Sequence, residues 1–233
     1  MFHSKSKIIT YLLVINCFCV VYLHSVQQQI KKIVADITEY NRKDRLIKFS
    51  NNVKIELKNG KIFCDRAVYN ENNKNISCES NVYAIMVSTE DNSSIEIFSS
   101  FARYRQAEME LEFYGDPYAV YKSSDGVQKN ILKANKFLLE EKKDKIVCKE
   151  NVWLKNSDGE IFCNIAEYFI SEKIIYMNYV PLVAPNNKVI FNSKKEKLNI
   201  KTFSSNNAVF YINENKVQLN GDVEIIFQSD NDL

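Results

Sequence analysis

The stretch "NVWLKNSDGEIFCNIAEYF" (residues 151–169) decides the fold, because the chain has written nearly the same phrase earlier. Residues 52–69 read "NVKIELKNGKIFCDRAVY". Both segments open on Asn-Val and carry a polar turn ending in Gly. Ile-Phe-Cys, an alanine and an aromatic follow. Two such copies, about a hundred residues apart, point to an internal repeat.

Aligning each aromatic with the valine beyond the next turn sets the register. Tyr40 precedes Val53 by 13 residues, as Tyr69 precedes Val82 and Phe210 precedes Val223. The spacing is 12 from Tyr168 to Val180, 14 from Tyr104 to Tyr118 and 15 from Phe137 to Val152. Ala67, Ala102, Ala166 and Ala208 each stand two residues before such an aromatic. Apolar pairs lie six and four residues before the valine: Ile47 and Phe49, Ile76 and Cys78, Ile146 and Cys148. By the same count come Ile174 and Tyr176, then Val217 and Leu219. Beyond the valine the parity continues through Ile55 and Leu57, Leu154, and Ile225 and Phe227.

Period two is the strand signature; a helix would show 3.6. "SNN", "ESN", "KEN", "NGD" and "GDP" stand at the joints, where Asn and Gly supply the positive φ of tight hairpins. The expectation is an all-β stack of about six β-hairpin units over residues 34–228. One unit cannot bury its apolar face alone. Residues 181–200, interrupted by Pro181 and Pro185, read as an extra hairpin or a lip at one edge.

Composition removes several function classes. The only histidines are His3 and His24, which excludes a Ser-His-Asp triad or a His-ligated metal from the rest of the chain. No paired-carboxylate motif or nucleophile motif stands out, so no enzyme, metal or cofactor is expected. A net charge of +2 with interspersed signs and no basic block argues against a dedicated nucleic-acid binder.

Lys5 and Lys7 precede an apolar run, Ile8 to Leu23, that reads as one hydrophobic helix. Residues 1–25 are either a cleaved signal peptide or an uncleaved membrane anchor through residues 8–23. A relaxed lipoprotein signal at Cys17 is a third reading, opposed by the apolar residues after it. Export of residues 26–233 follows from the first two.

The phrases "ADITEYNRKDRLIKFSNNVKIEL", "DRAVYNENNKNISCESNVYAI" and "FARYRQAEMELEFYGDPYAVYKSSDG" resemble the OstA/LptA family of periplasmic lipopolysaccharide-transport proteins. Asp65-Arg66-Ala67-Val68-Tyr69 and Gly115-Asp116-Pro117 match its repeat best, while Asn-Asn or Glu-Asn replaces its usual Gly-Asn. The resemblance implies an elongated, open, V-shaped β-jellyroll and a non-enzymatic role. Such a protein carries lipopolysaccharide or a related glycolipid in an apolar groove. It bridges inner and outer membranes with other jellyroll components, or as a head-to-tail homo-oligomer. A membrane-anchored LptC-like partner of the same system is the close alternative. A structural or adhesive β-repeat protein without cargo is the alternative from another class.

Applied to the repeat register, the resemblance makes the inward residues the groove lining. In the first two units these are Ile47, Phe49, Val53, Ile55 and Leu57, then Ile76, Cys78, Val82, Ala84 and Met86. Further along they are Ile146, Cys148, Val152 and Leu154, then Ile174 and Tyr176, and finally Val217, Leu219, Val223 and Ile225. Val223, Ile225 and Phe227 form the edge strand for assembly. Cys64, Cys78, Cys148 and Cys163 allow three pairings in an exported protein. Burial as small hydrophobes is the better reading for Cys78 and Cys148.

Overall fold

The alternating segments become eighteen strands in the computed structural model, all paired antiparallel. The structure describes residues 30–58, 60–87, 92–124, 128–156, 159–169, 171–178, 189–193, 200–211, 214 and 216–227. The expected N-terminal helix and its signal or anchor lie outside these residues. In chain order the strands begin β1 (Lys32–Val34), β2 (Ile37–Asn41), β3 (Leu46–Glu56), β4 (Gly60–Asn70), β5 (Asn75–Val87) and β6 (Ser94–Arg105). They continue with β7 (Glu110–Tyr114), β8 (Tyr118–Lys122), β9 (Gln128–Lys133), β10 (Lys136–Glu140), β11 (Lys145–Asn156) and β12 (Gly159–Phe169). The last are β13 (Ile174–Asn178), β14 (Val189–Ser193), β15 (Ile200–Ser205), β16 (Asn207–Tyr211), β17 (Lys216–Asn220) and β18 (Glu224–Phe227).

The pairings resolve into two layers made by one meander folded along its middle. The first layer runs β2-β3-β4-β5-β6-β7-β10-β11-β12-β13-β16-β17. The second runs β1-β3-β4-β5-β6-β8-β9-β11-β12-β14-β15-β18. Strands β3, β4, β5, β6, β11 and β12 are long enough to serve in both.

The joints expected to be tight hairpins are instead the corners of this fold. Asn51 and Asn52 have φ of 62° and 51°, Ser80 and Asn81 of 64° and 52°, and Glu150 and Asn151 of 62° and 54°. Each pair sits inside a continuous strand at a bulge in the register. There the chain passes from one layer to the other without reversing. Gly115-Asp116 does the same between β7 and β8, and Gly221-Asp222 between β17 and β18. At Gly115 (φ 78°) an added Cβ would lie 2.7 Å from that of Ser100, so the corner also needs a bare α-carbon. The first-layer reversals whose residues are all described are at 42–45, 71–74, 106–109 and 141–144.

Side chains clasp neighbouring corners together. Asn52 Nδ2 donates to Asp36 Oδ2 (2.7 Å) and Asn81 Nδ2 to Asp65 Oδ2 (2.7 Å). Asn151 Nδ2 donates to Asn135 Oδ1 (3.3 Å), and Asn206 Nδ2 to Asp222 Oδ2 (3.4 Å). Each clasp joins residues 16 apart in sequence. Of the two readings of residues 181–200, the described part fits the extra hairpin rather than a lip: β14 pairs antiparallel with β15 and with β12 as part of the second layer.

Facing residues form rows across the strands, and the row position explains the alanine before each aromatic. One row of the first layer reads Tyr69, Ile76, Tyr104, Leu111, Leu139, Ile146, Tyr168, Ile175 and Phe210. The row nearer the corner reads Ala67, Cys78, Ala102, Phe113, Phe137, Cys148, Ala166, Met177 and Ala208. Near the corner the layers converge, so much of that row is small. Two residues out there is room for a ring.

Replacing Asn81 with Gly keeps the backbone conformation and loses only the clasp, which should cost about 1 kcal/mol. Asn81→Val also forces a β-branched residue into the left-handed region and should cost about two to three times as much. Urea midpoints of the two variants check this; equal losses would contradict it.

An ionic network lies on the outer face of the first layer. Lys136 Nζ is 2.7 Å and Arg105 Nη1 3.3 Å from the Glu112 carboxylate, while Lys145 Nζ is 2.8 Å from Glu167 and 3.4 Å from Glu140. Burial raises the Glu112 carboxyl, but the hydrogen bond and charge of Lys136, with Arg105 and Arg103, outweigh it and hold it below its ordinary value. Glu140 is lowered in the same way against its own burial, by Lys143 and Lys145. A depressed carboxylate stabilises the fold above its ordinary range, and that contribution disappears as pH falls through the depressed value. Thermal melting should therefore lose stability between about pH 5 and pH 3. Glu112→Gln should show a shallower loss over that window; an unchanged slope would contradict the assignment.

Candidate functional site

The apolar faces of the two layers meet, and between them lies a cavity of about 90 Å³. Ile95, Ile97, Ala119, Leu132 and Leu154 line it from the second layer. Phe137, Leu139, Ile146, Cys148, Ala166, Tyr168, Ile175 and Met177 line it from the first. None carries a charge.

The N-terminal half differs. Ile55, Leu57 and Ile62 close on Ile76, Cys78, Ala102, Tyr104 and Leu111, leaving about 10 Å³. Of the residues expected to line a groove, Phe49, Val53, Ile55, Leu57, Ile76, Cys78, Val82, Ala84 and Met86 are buried core, and Ile47 packs partly buried against them. Ile146, Cys148 and Leu154 do line the cavity, and Val152 is buried beside the corner. Val217 and Leu219 are partly buried against the core.

Ile174 and Tyr176 are corrected: they lie on the outer face, and Ile175 and Met177 face in. Tyr176 meets Phe169 edge-on at 5.5 Å there. The unit with the 12-residue spacing is one residue short, and a one-residue slip exchanges the faces. Counting seven residues forward from Tyr40, Tyr69, Tyr104, Tyr168 and Phe210 reaches Ile47, Ile76, Leu111, Ile175 and Val217, all on one face. That count was the better guide. Val223 is also corrected: it is 49% exposed beside the last edge rather than buried with the core. Ile225 and Phe227 pair with Phe203 and Ile200 in β18, whose described partner is β15 alone.

The missed lining residues Ile95, Ile97, Ala119 and Leu132 come from β6, β8 and β9. "SIEIF" shows the same alternation that marks the other inward faces.

All four described cysteines are buried and free. The neighbours are not the repeat-equivalent residues. Cys64 lies across a corner from Cys78, whose thiol hydrogen-bonds it and lowers its pKa, while that bond and burial raise Cys78. Burial pushes the Cys148 thiol up to about 12 and Cys163 higher still. The raised thiols of Cys78, Cys148 and Cys163 stay protonated at neutral pH, which makes them packing groups rather than nucleophiles.

A second hollow, about 380 Å³, opens on the outer side of a corner beside Tyr83, Phe98, Gly115 and Tyr118. Three of its polar side chains are already engaged: Asn81 with Asp65, Ser99 with the Phe101 carbonyl and Ser100 with the Gly115 carbonyl. Phe63, Tyr83, Phe98 and Tyr118 stack on one another at 4.7–5.8 Å between ring centres, so the row is a self-supporting ladder.

No protein-family model and no curated protein sequence matches the chain. Among solved structures it is similar to the crystal structure of LptH, the LptA-homologous periplasmic component of the conserved lipopolysaccharide transport device from Pseudomonas aeruginosa. The two are 9% identical with a TM-score of 0.36, and the match covers 71% of this chain and 94% of that one.

Proposed function

We propose that this protein is a non-enzymatic carrier of an acylated envelope lipid, lipopolysaccharide or a related glycolipid, held by its acyl part between the layers. The observation that carries the reading is the uncharged cavity in an otherwise closely packed core. Left empty, a void of this size costs about 2 kcal/mol at ~24 cal/mol per Å³. An acyl group entering it restores the missing contacts and gains about 0.8 kcal/mol per methylene buried. The repeat motifs that resemble the OstA/LptA family point the same way, as does the export signal expected in residues 1–25.

The open edges suit assembly with other β-layer proteins, or with a second copy, by strand addition. β2 is exposed along its whole length, and Val34, Ile37 and Tyr40 are exposed apolar residues at that end. β17 and β18 form the opposite edge. The tightly filled N-terminal half favours a second reading, a structural β-repeat protein without cargo.

A photoreactive fatty-acyl lipid separates the two. The carrier should be labelled at Cys148 or Leu154, and much less at Ile55 in the filled half or Lys54 on the outer face. Ala119→Leu, which fills the cavity from the second layer, should reduce labelling at least tenfold while leaving the β-sheet circular dichroism unchanged. Labelling confined to outer positions, or unchanged in Ala119→Leu, would favour the cargo-free reading.

A further inference from the structure

Asn130 is only 2% exposed, and its amide nitrogen has no hydrogen-bond partner. It lies on β9 two residues before Leu132, so both side chains face the space between the layers. Its cross-strand neighbours are Asn156 on β11 and Tyr121 on β8; Tyr121 is itself buried and pairs with the cavity residue Ile95. Leu132 pairs with Ala119 and Leu154, both on the cavity wall. The register therefore places Asn130 beside the cavity wall, one row further from the corner than Ala119, Leu132 and Leu154.

A buried donor without an acceptor destabilises a fold, and an apolar residue of similar size in its place would not. Towards the cavity the next row is Ala119, Leu132 and Leu154, whose side chains offer no acceptor, so on that side the acceptor has to come with whatever occupies the cavity. Its chemistry is constrained. No cation lines the cavity, so a buried carboxylate or phosphate would be left without a counter-charge. A neutral carbonyl meets both conditions, and an ester- or amide-linked acyl group carries one at the head of its methylene chain.

We propose that Asn130 is a specificity-determining residue whose side-chain amide donates to the carbonyl of the bound acyl group, fixing the chain's register in the cavity. The carbonyl oxygen then rests at the rim, and the methylenes run over Leu132, Ile97 and Leu154 toward the first layer. This assignment rests on the lipid-carrier reading and deepens it: ester- or amide-linked acyl lipids are recognised over hydrocarbons that lack a carbonyl.

The test compares a diacyl phosphatidylglycerol with its dialkyl ether analogue, identical in chain length and headgroup but lacking the two carbonyls. Each competes against a fluorescent fatty-acyl probe on the full-length protein. One hydrogen bond is worth about tenfold in affinity, so the ester lipid should compete about tenfold better. In Asn130→Leu both lipids should still bind and the preference should fall to within about twofold, because only the discriminating contact is gone. Equal binding of the two lipids by the wild-type protein overturns the assignment and leaves the carrier reading standing. A preference that survives in Asn130→Leu also overturns it. Failure of the wild-type protein to bind either lipid removes the carrier reading and this assignment together. Should Asn130→Leu not fold, the wild-type comparison decides, with Asn130→Ala as the second variant.

Discussion

Left-handed backbone at the corners is the constraint on which the rest of the structure depends. A plain meander would give one broad sheet with an apolar face open to water. At Asn51-Asn52, Ser80-Asn81 and Glu150-Asn151 the chain gains a bulge residue, and paired positive φ values turn the strand onto a second layer. The turn works only if neighbouring strands bend at the same height. The clasps Asn52–Asp36, Asn81–Asp65, Asn151–Asn135 and Asn206–Asp222 align them. Folding the apolar face onto itself then supplies the burial that no single hairpin could reach.

From that geometry the core follows. The layers converge at the corner, and positions nearest it take Ala67, Cys78, Ala102, Cys148, Ala166 and Ala208, with Val53, Val82 and Val152 opposite. One row out stand Tyr69, Tyr104, Tyr168 and Phe210. Where Ile55, Ile62 and Leu111 fill the gap, the interior is solid. Where Ala119, Cys148 and Ala166 meet, space remains for an apolar guest. The same construction that fills one end as a solid sandwich leaves a cavity at the other.

Much of this was legible in the sequence, because period two survives any arrangement of the strands. Val53, Ile55 and Leu57 announce a buried face regardless of what lies across from it. The corners were misread for a physical reason. Asn-Asn and Glu-Asn supply positive φ equally well to a hairpin and to a bulge, and only pairing with the neighbouring strand tells them apart. The error at Ile174 and Tyr176 arose because spacing measured from the valine crosses the corner, where length varies. Spacing from the aromatic crosses only the reversal, where it holds for every unit but that of Phe137, which stands one row nearer the corner. The cavity was not legible at all. Volume is a property of facing rows, and Ala119 meets Ala166 only once both layers are built. Asn130 likewise reads as an ordinary polar strand residue until its face is known.

Native mass spectrometry of the protein purified without added lipid tests the central claim most directly. The wild-type protein should carry one acylated lipid, identified by its fragment masses, and Ala119→Leu should carry none. A wild-type protein that folds and arrives without lipid under conditions that preserve such complexes would contradict the account, as would an equal lipid load in Ala119→Leu.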